Sequence, residues 1–340
     1  MIKTPEFNYF EEVNNLFFTI YLIGYKHEGE SILFTLTSTD PEQKLIYVGA
    51  IDSYTLNNVN VTAELLEKIT NEYDLPGRKL DFLCWTHPHD DHTKGMVNII
   101  QKFCDNETLI TMPHIFYMPN LPSEALNVVQ HIQKVNKGRP VEKRSKLKFL
   151  DGEGILQIAR VGGGRKNEMI LEHFGPYANI SSMQGDNIDW NKFSTSIMLT
   201  INGIRVYLAG DIEDMTIKTI EEFPDRINYI KIPHHTSLTS SRILELLIEP
   251  TEIACTTVYK DKLPNRDLLT KYIGTINDVF CTSEKIIKSK FKNNSGKFSR
   301  ASKINSSLKD DEFGVVKVEI DVIEAQYKTY LAGDAVCVVC

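Results

Sequence analysis

The sequence predicts an α+β fold: two mixed β-sheets packed face to face, with helices on the outside. Two observations carry this. Strand-like runs outnumber helical ones and do not alternate with them strictly, which argues against a parallel doubly wound sheet. A run of strands with a few helices is also followed by a second, similar run. In the first run, FFTIYLIGY, ESILFTLTS, KLIYVGAI and KLDFLCWT are rich in β-branched and aromatic residues. Gly29, Glu30 and Ser31 predict a hairpin turn between the first two. Residues 62–72 carry leucine and isoleucine at helical spacing, and 94–104 and 122–137 read as further helices, with the strand TLITMPHIF between them. In the second run, EGILQIARV and EMILEHF are separated by a Gly162-Gly163-Gly164 turn. TSIMLTI and IRVYLAG are joined by Asn202-Gly203, a strong hairpin signal. Helices at 213–222 and 240–248 flank the strand YIKI, and GVVKVEIDVI and KTYLAG close the chain.

The chain of 340 residues is 42% hydrophobic and 24% charged, which excludes a mainly disordered or fibrous protein. It divides into a leader (1–15), one principal domain (16–334) and a terminal strand or tail (335–340). A formal charge of −7 excludes a uniformly basic nucleic-acid binder but leaves room for basic patches. No apolar run is long enough to span a bilayer, and the first fifteen residues lack a signal-peptide core, so no membrane association is expected. Six scattered cysteines point to a reducing cytoplasm.

Three clusters carry chemistry, each at a predicted strand end. WTHPHDDHTKG supplies His87, His89, Asp91 and His92 within six positions. Imidazole and carboxylate at this density suit zinc or manganese. His87 and His89 share a direction in an extended loop, and Asp91 with His92 can face a second ion. YLAGDIE places Asp211 after a strand, where a carboxylate can bridge two cations. YIKIPHHTS adds His234 and His235 behind Pro233, whose ring fixes the backbone. Gly333-Asp334 repeats the Gly-Asp pair as a decoy.

The order THPHDDHTKG, LAGD, KIPHHTS resembles the metallo-β-lactamase hydrolase superfamily. More closely it resembles the soluble hydrolase domain of ComEC competence proteins. NKFSTSIMLTINGIRVYLAGD matches that group's Asn…Ser-hydrophobic hairpin, YLIGYKHEGESILF its opening hairpin and LIYVGAID its Leu-Ile-Asp-Gly-Gly strand. The resemblance covers roughly residues 16–330. It implies an αββα sandwich with one or two divalent ions, Zn2+ or Mn2+, at one edge of the sheets. It places His87 and His89 on the first ion, Asp91, His92 and His234 on the second, and Asp211 between them. His235 becomes an outer or leaving-group histidine, although either of His234 and His235 fits as the ligand, and Asp52 orients the histidine loop from behind. The chain departs from the pattern in three ways. No histidine stands just ahead of the Gly-Asp hairpin, His173 being the nearest and read as a packed or exposed residue rather than a ligand. Thr236 replaces a glycine, and Leu263 replaces a site-edge histidine.

The expected chemistry is hydrolysis by activated water, with Asp91 or Asp211 orienting the water and His235 protonating the leaving oxygen. The resemblance suggests phosphodiesters, DNA foremost. Residues 134–148, where Gly-Arg-Pro predicts a loop, and 285–303 each hold seven basic residues. Lys143, Arg144 and Lys146 of the first are candidate phosphate contacts. Phe291 and Phe298 of the second are candidate base-stacking residues, in a lysine-rich loop over 283–311. Two alternatives stand beside the nuclease. One is a hydrolase of a small ester, lactone or cyclic nucleotide. The other is a subunit of a multi-gene system, such as anti-phage defence, that acts with a protein partner. The closing Cys337-x-x-Cys340 reads as part of a buried apolar strand.

Overall fold

The computed structural model describes residues 6–7, 15–39, 43–115, 118, 120–140, 143–160, 168–177, 188–290 and 306–339. The first sheet begins with three long strands, β2 (Leu16–Tyr25), β3 (Glu30–Ser38) and β4 (Lys44–Ile51), joined as antiparallel neighbours. Gly29, at φ 99°, makes the β2–β3 turn, while Glu30 and Ser31 are already in β3. From β4 onward the sheet turns parallel: β5 (Phe82–Cys84), β6 (Leu109–Pro113) and β7 (Lys146–Leu150) follow in order. The crossovers supply α1 (Val61–Glu72), the short α2 (Asp90–Thr93), α3 (Met96–Phe103) and α4 (Ser123–Asn136).

The second sheet repeats the plan. β1 (Glu6–Phe7) lies parallel to β8 (Glu153–Arg160). β8, β9 (Glu168–Phe174), β10 (Ser196–Ile201) and β11 (Ile204–Ala209) are antiparallel. β11, β12 (Tyr229–Lys231), β13 (Ile253–Thr256) and β14 (Asp278–Cys281) are parallel. The last strands are shared out. β15 (Phe313–Asp321) pairs with β2, and β16 (Gln326–Gly333) pairs with β15. β17 (Val336–Val339) joins β14 in the other sheet. The terminal strand thus belongs to the nine-stranded sheet, and Glu6–Phe7 of the expected leader adds to its far edge.

Three apolar layers hold the sandwich together. One fills the space between the sheets, with Phe18, Phe34, Phe82, Leu199 and Val316 among its members. A second lies between the eight-stranded sheet and α1, α3 and α4, and a third between the nine-stranded sheet and the helix Arg266–Thr275. This is the expected αββα arrangement. Gly24 and Gly314 face each other across β2 and β15, and a Cβ on either would run into Thr282, just past β14.

Several expectations need correction. The helix expected over 213–222 is one turn, Asp214–Ile217, and that over 240–248 shrinks to Ile243–Leu246. The basic stretch 134–148 is not one loop: it begins in the last turn of α4 and ends in β7. The expected loop over 283–311 opens with a helix, Glu284–Lys290. Phe291, Phe298, Cys340 and the Gly162–Gly164 turn lie outside the described residues. Cys337 is buried in β17, as expected, and is also disulfide-bonded, whereas Cys84, Cys104, Cys255 and Cys281 form no disulfide.

Candidate metal centre

In both sheets the parallel strands end on the same side, and the chemistry-bearing residues lie there. Asp52 follows β4, His87 and His89 follow β5, Asp211 follows β11 and His235 follows β12. Glu30 enters because β3 runs antiparallel to β4, which sets its first residue beside the end of β4. Crevices beyond the carboxyl ends of parallel strands are where such sheets gather ligands.

The histidine loop is built by its own side chains. The Trp85 indole donates to Thr93 Oγ1 at 3.0 Å, and the Thr93 hydroxyl donates to the His89 carbonyl at 2.6 Å. Asp52, fully buried, accepts from the Thr86 backbone N–H at 2.7 Å and the Thr86 hydroxyl at 2.6 Å, and its Oδ2 lies 2.7 Å from His92 Nδ1. Asp52 thus ties the start of the histidine loop at Thr86 to His92.

Asp211 is the centre of the arrangement. His92 Nε2 lies 3.4 Å from its Oδ1, and His235 Nε2 lies 3.4 Å from its Oδ2. His87 Nε2 and His234 Nε2 each stand 3.9 Å from Oδ2. The far nitrogens are braced from outside. His92 Nδ1 is on Asp52, His235 Nδ1 is 2.7 Å from Thr257 Oγ1, and His234 Nδ1 is 2.9 Å from Thr239 Oγ1. Imidazoles backed at one nitrogen by a carboxylate or hydroxyl, with the other turned inward, are the usual state of metal ligands. Asp91 Oδ2 sits 3.2 Å from His235 Nε2 and 3.5 Å from His92 Nε2.

The donors form two groups that share Asp211: His87, His89 and Asp211, and Glu30, His92, Asp211 and His235. Within each group one donor atom per residue lies within 4.8 Å of all the others. Buried His92 Nε2 and Asp211 Oδ1 have no hydrogen-bond partner. Two orphaned buried polar atoms 3.4 Å apart fit a cation held between them, and imidazole with carboxylate is a donor set for a divalent metal.

The electrostatics agree. Burial holds His87 well below the ordinary imidazole value, helped by the neighbouring His92 and His89, and burial lowers His89 too. Burial works against a charge on His92 and His235, yet carboxylates on every side override it. Asp211, Asp91, Asp52 and Glu30 raise His92 well above its usual value, and Asp211 and Glu30 lift His235 to about 9. Asp211, although buried, is held well below the carboxylate range by His235 and His92. The pocket calls for positive charge.

Of the two adjacent histidines, His235 is buried in the second group while His234 lies at the rim, in neither. His234 Nε2 instead faces Asn191 Nδ2 at 3.2 Å. His173 sits in β9 opposite Ile197, buried and outside both groups. On the loop that carries Leu263, the ring beside His235 is that of Tyr259, stacked at 5.4 Å. Asp334, the decoy, accepts from the Ser283 hydroxyl. Lys143, Arg144 and Lys146 are not at the centre. Lys146 opens β7 and pairs through Leu109 with Phe82, the first residue of β5, so the trio lies at the opposite strand ends from His87. Lys146 Nζ is also held by Glu107 at 2.6 Å. Glu30 and Lys231 went unread in the sequence: single charged residues inside apolar strands give no spacing signal.

No family model matches the chain, and no curated protein matches its sequence. Among solved structures, the metallo-β-lactamase fold protein YhfI from Bacillus subtilis is 13% identical, at a TM-score of 0.41 over 77% of this chain and 94% of its own. A protein from Parabacteroides distasonis described as a metal-dependent hydrolase is 17% identical, at 0.37 over 76% of this chain and 96% of its own. Among the described residues, no helix is long and apolar enough to cross a membrane.

Proposed function

We propose that the chain is a metal-dependent hydrolase of the metallo-β-lactamase fold, with phosphodiesters as its substrates and DNA as the foremost one. The observation that carries the metal reading is the pair of donor groups sharing Asp211, with His92 Nε2 and Asp211 Oδ1 left unpartnered between them. The motif order from THPHDDHTKG to KIPHHTS supports the phosphodiester.

His87, His89 and Asp211 would hold one ion. His92, Asp211 and His235, with Asp91 beside them, would hold another, zinc or manganese in each case. When bound, such ions lower the pKa of water toward ~7 and offset charge on a phosphoryl oxygen. The protein's part is positional. Asp52 keeps the His92 proton on Nδ1, so Nε2 turns inward as a lone pair. Thr257 does the same for His235: its own hydroxyl donates to Glu30 Oε2 at 2.5 Å, so its oxygen accepts from His235 Nδ1–H. Asp91 Oδ2, between His92 and His235, is placed to orient water. His234 and Asn191 form the rim that a substrate meets.

The remoteness of Lys143, Arg144 and Lys146 favours a second reading, a small phosphodiester or ester as substrate. Protein purified without chelator should contain a divalent metal, and Asp211→Ala should lose both metal and activity. Full metal content in Asp211→Ala, by elemental analysis, counts against the centre. Cleavage of single- or double-stranded DNA with zinc or manganese supports the nuclease, and hydrolysis of bis(p-nitrophenyl) phosphate with DNA left intact selects the small-substrate reading. A metal-loaded protein that cleaves neither points to a partner-dependent subunit.

A further inference from the structure

β12 sends a charged side chain into the layer between the sheets. Tyr229 packs in that layer, and the two-residue period of a strand puts Lys231 on the same face, with no exposure to solvent. Its Nζ lies 2.5 Å from Glu30 Oε1, on the facing sheet, and 3.9 Å from Asp211 Oδ1. Glu30 and Asp211 are its charged partners among the described residues. An ammonium out of water is costly unless paired, and an apolar side chain of similar length would pack this layer at no such cost. The position therefore calls for an electrostatic reason.

The two carboxylates that face Lys231, Glu30 and Asp211, are also two of the four donors of the second group. A divalent ion there would share them with an ammonium at close range, where little solvent screens the repulsion. The first group is better placed, because His87 approaches Asp211 at Oδ2 while Lys231 faces Oδ1.

We infer that Lys231 is a built-in counter-ion of the metal centre. It neutralises Glu30 and Asp211 while the centre is empty, and it makes the Glu30–His92–Asp211–His235 group the weaker of two unequal ion sites. The inference rests on the metal reading above and goes beyond it. Ions load in order, first at His87, His89 and Asp211, and the fold keeps the empty pocket formed without them.

The test is a zinc titration of the full chain after chelator stripping, followed by calorimetry and by melting temperature. Wild type should bind in two separated steps. Lys231→Met should tighten the second step by at least about tenfold, leave the first nearly unchanged, and make the stripped protein depend more on zinc for stability. Glu30→Gln leaves the ammonium to Asp211 alone and should weaken the second step by at least about tenfold, which keeps the inference open to test if Lys231→Met does not fold. Two equal steps in wild type, or an unchanged second step in either folded variant, overturns the inference while leaving the metal centre standing. A wild type that takes up no zinc removes the metal reading and this inference with it.

Discussion

Asp52→Asn separates the two tasks of the buttress behind the histidine loop. The carboxylate has three partners: the Thr86 N–H on Oδ1, and the Thr86 hydroxyl and His92 Nδ1 on Oδ2. An asparagine in the same rotamer keeps its carbonyl on the Thr86 N–H and turns its amide toward the other two. The Thr86 oxygen can accept from that amide, so one contact is traded rather than lost. The cost to folding should be on the order of 1–2 kcal/mol, one charge-assisted hydrogen bond reduced to a neutral one. His92 fares differently. Its Nδ1 now faces a donor and must accept, which moves the ring proton to Nε2, the atom turned toward Asp211. Loss of such a partner behind a ligating histidine lowers metal affinity by about 10–100-fold, equivalent to about 1.4–2.7 kcal/mol. Two assays read the two terms apart: urea unfolding in excess chelator for stability, and competition against a chromophoric chelator for affinity. A variant with wild-type zinc affinity refutes the tautomer argument. A variant unfolded in chelator refutes the claim that the hydrogen bonds at Thr86 survive.

Further outcomes follow from the geometry. His235→Ala should lower metal content, whereas His234→Ala should keep its metal and slow turnover by about tenfold or more, as read by elemental analysis and a diester assay; equal metal loss in the two would reverse their placement. His173 sits at about 4 through burial and the nearby Lys148 charge, below the ~6.5 of an unfolded chain. Its neutral form is the one that folds, so stability is complete above pH 6.5 and falls as pH drops toward 4. His173→Leu should lose about 3 kcal/mol less than wild type across that window, by urea unfolding at each pH. Replacing Lys143, Arg144 and Lys146 by Ala should leave hydrolysis of a small diester unchanged. If these residues do bind DNA, the salt slope should flatten by about two to three units on the log–log plot.

The histidine loop was legible because its chemistry-bearing residues come close together in sequence: His87, His89, Asp91 and His92 announce themselves by density alone. What the sequence hid is set by backbone and packing. His234, His235 and Thr236 have φ of 48°, 48° and 63° in succession, a left-handed run that no strand or helix period foresees. That run decides which histidine points inward. Glu30 and Lys231 lie far apart in the chain and meet only because the two sheets pack face to face. The strands Ile253–Thr256 and Asp278–Cys281 went unread because they are four residues each, too short to show a period. The outer layers were more legible, since α1 and α4 show their apolar stripes directly.

The sharing of the last strands between the sheets bears on how the protein is made. β2 finds one neighbour at once in β3, but its other edge waits for β15, whose Phe313 pairs with Tyr25. At about 5–20 residues per second, synthesis leaves that edge open for on the order of tens of seconds. An unpaired strand edge of apolar residues is a template for wrong partners. The ribosome thus delivers the first long strand early and its flank late, and whatever shields Leu16–Tyr25 in the interval governs the yield of folded protein.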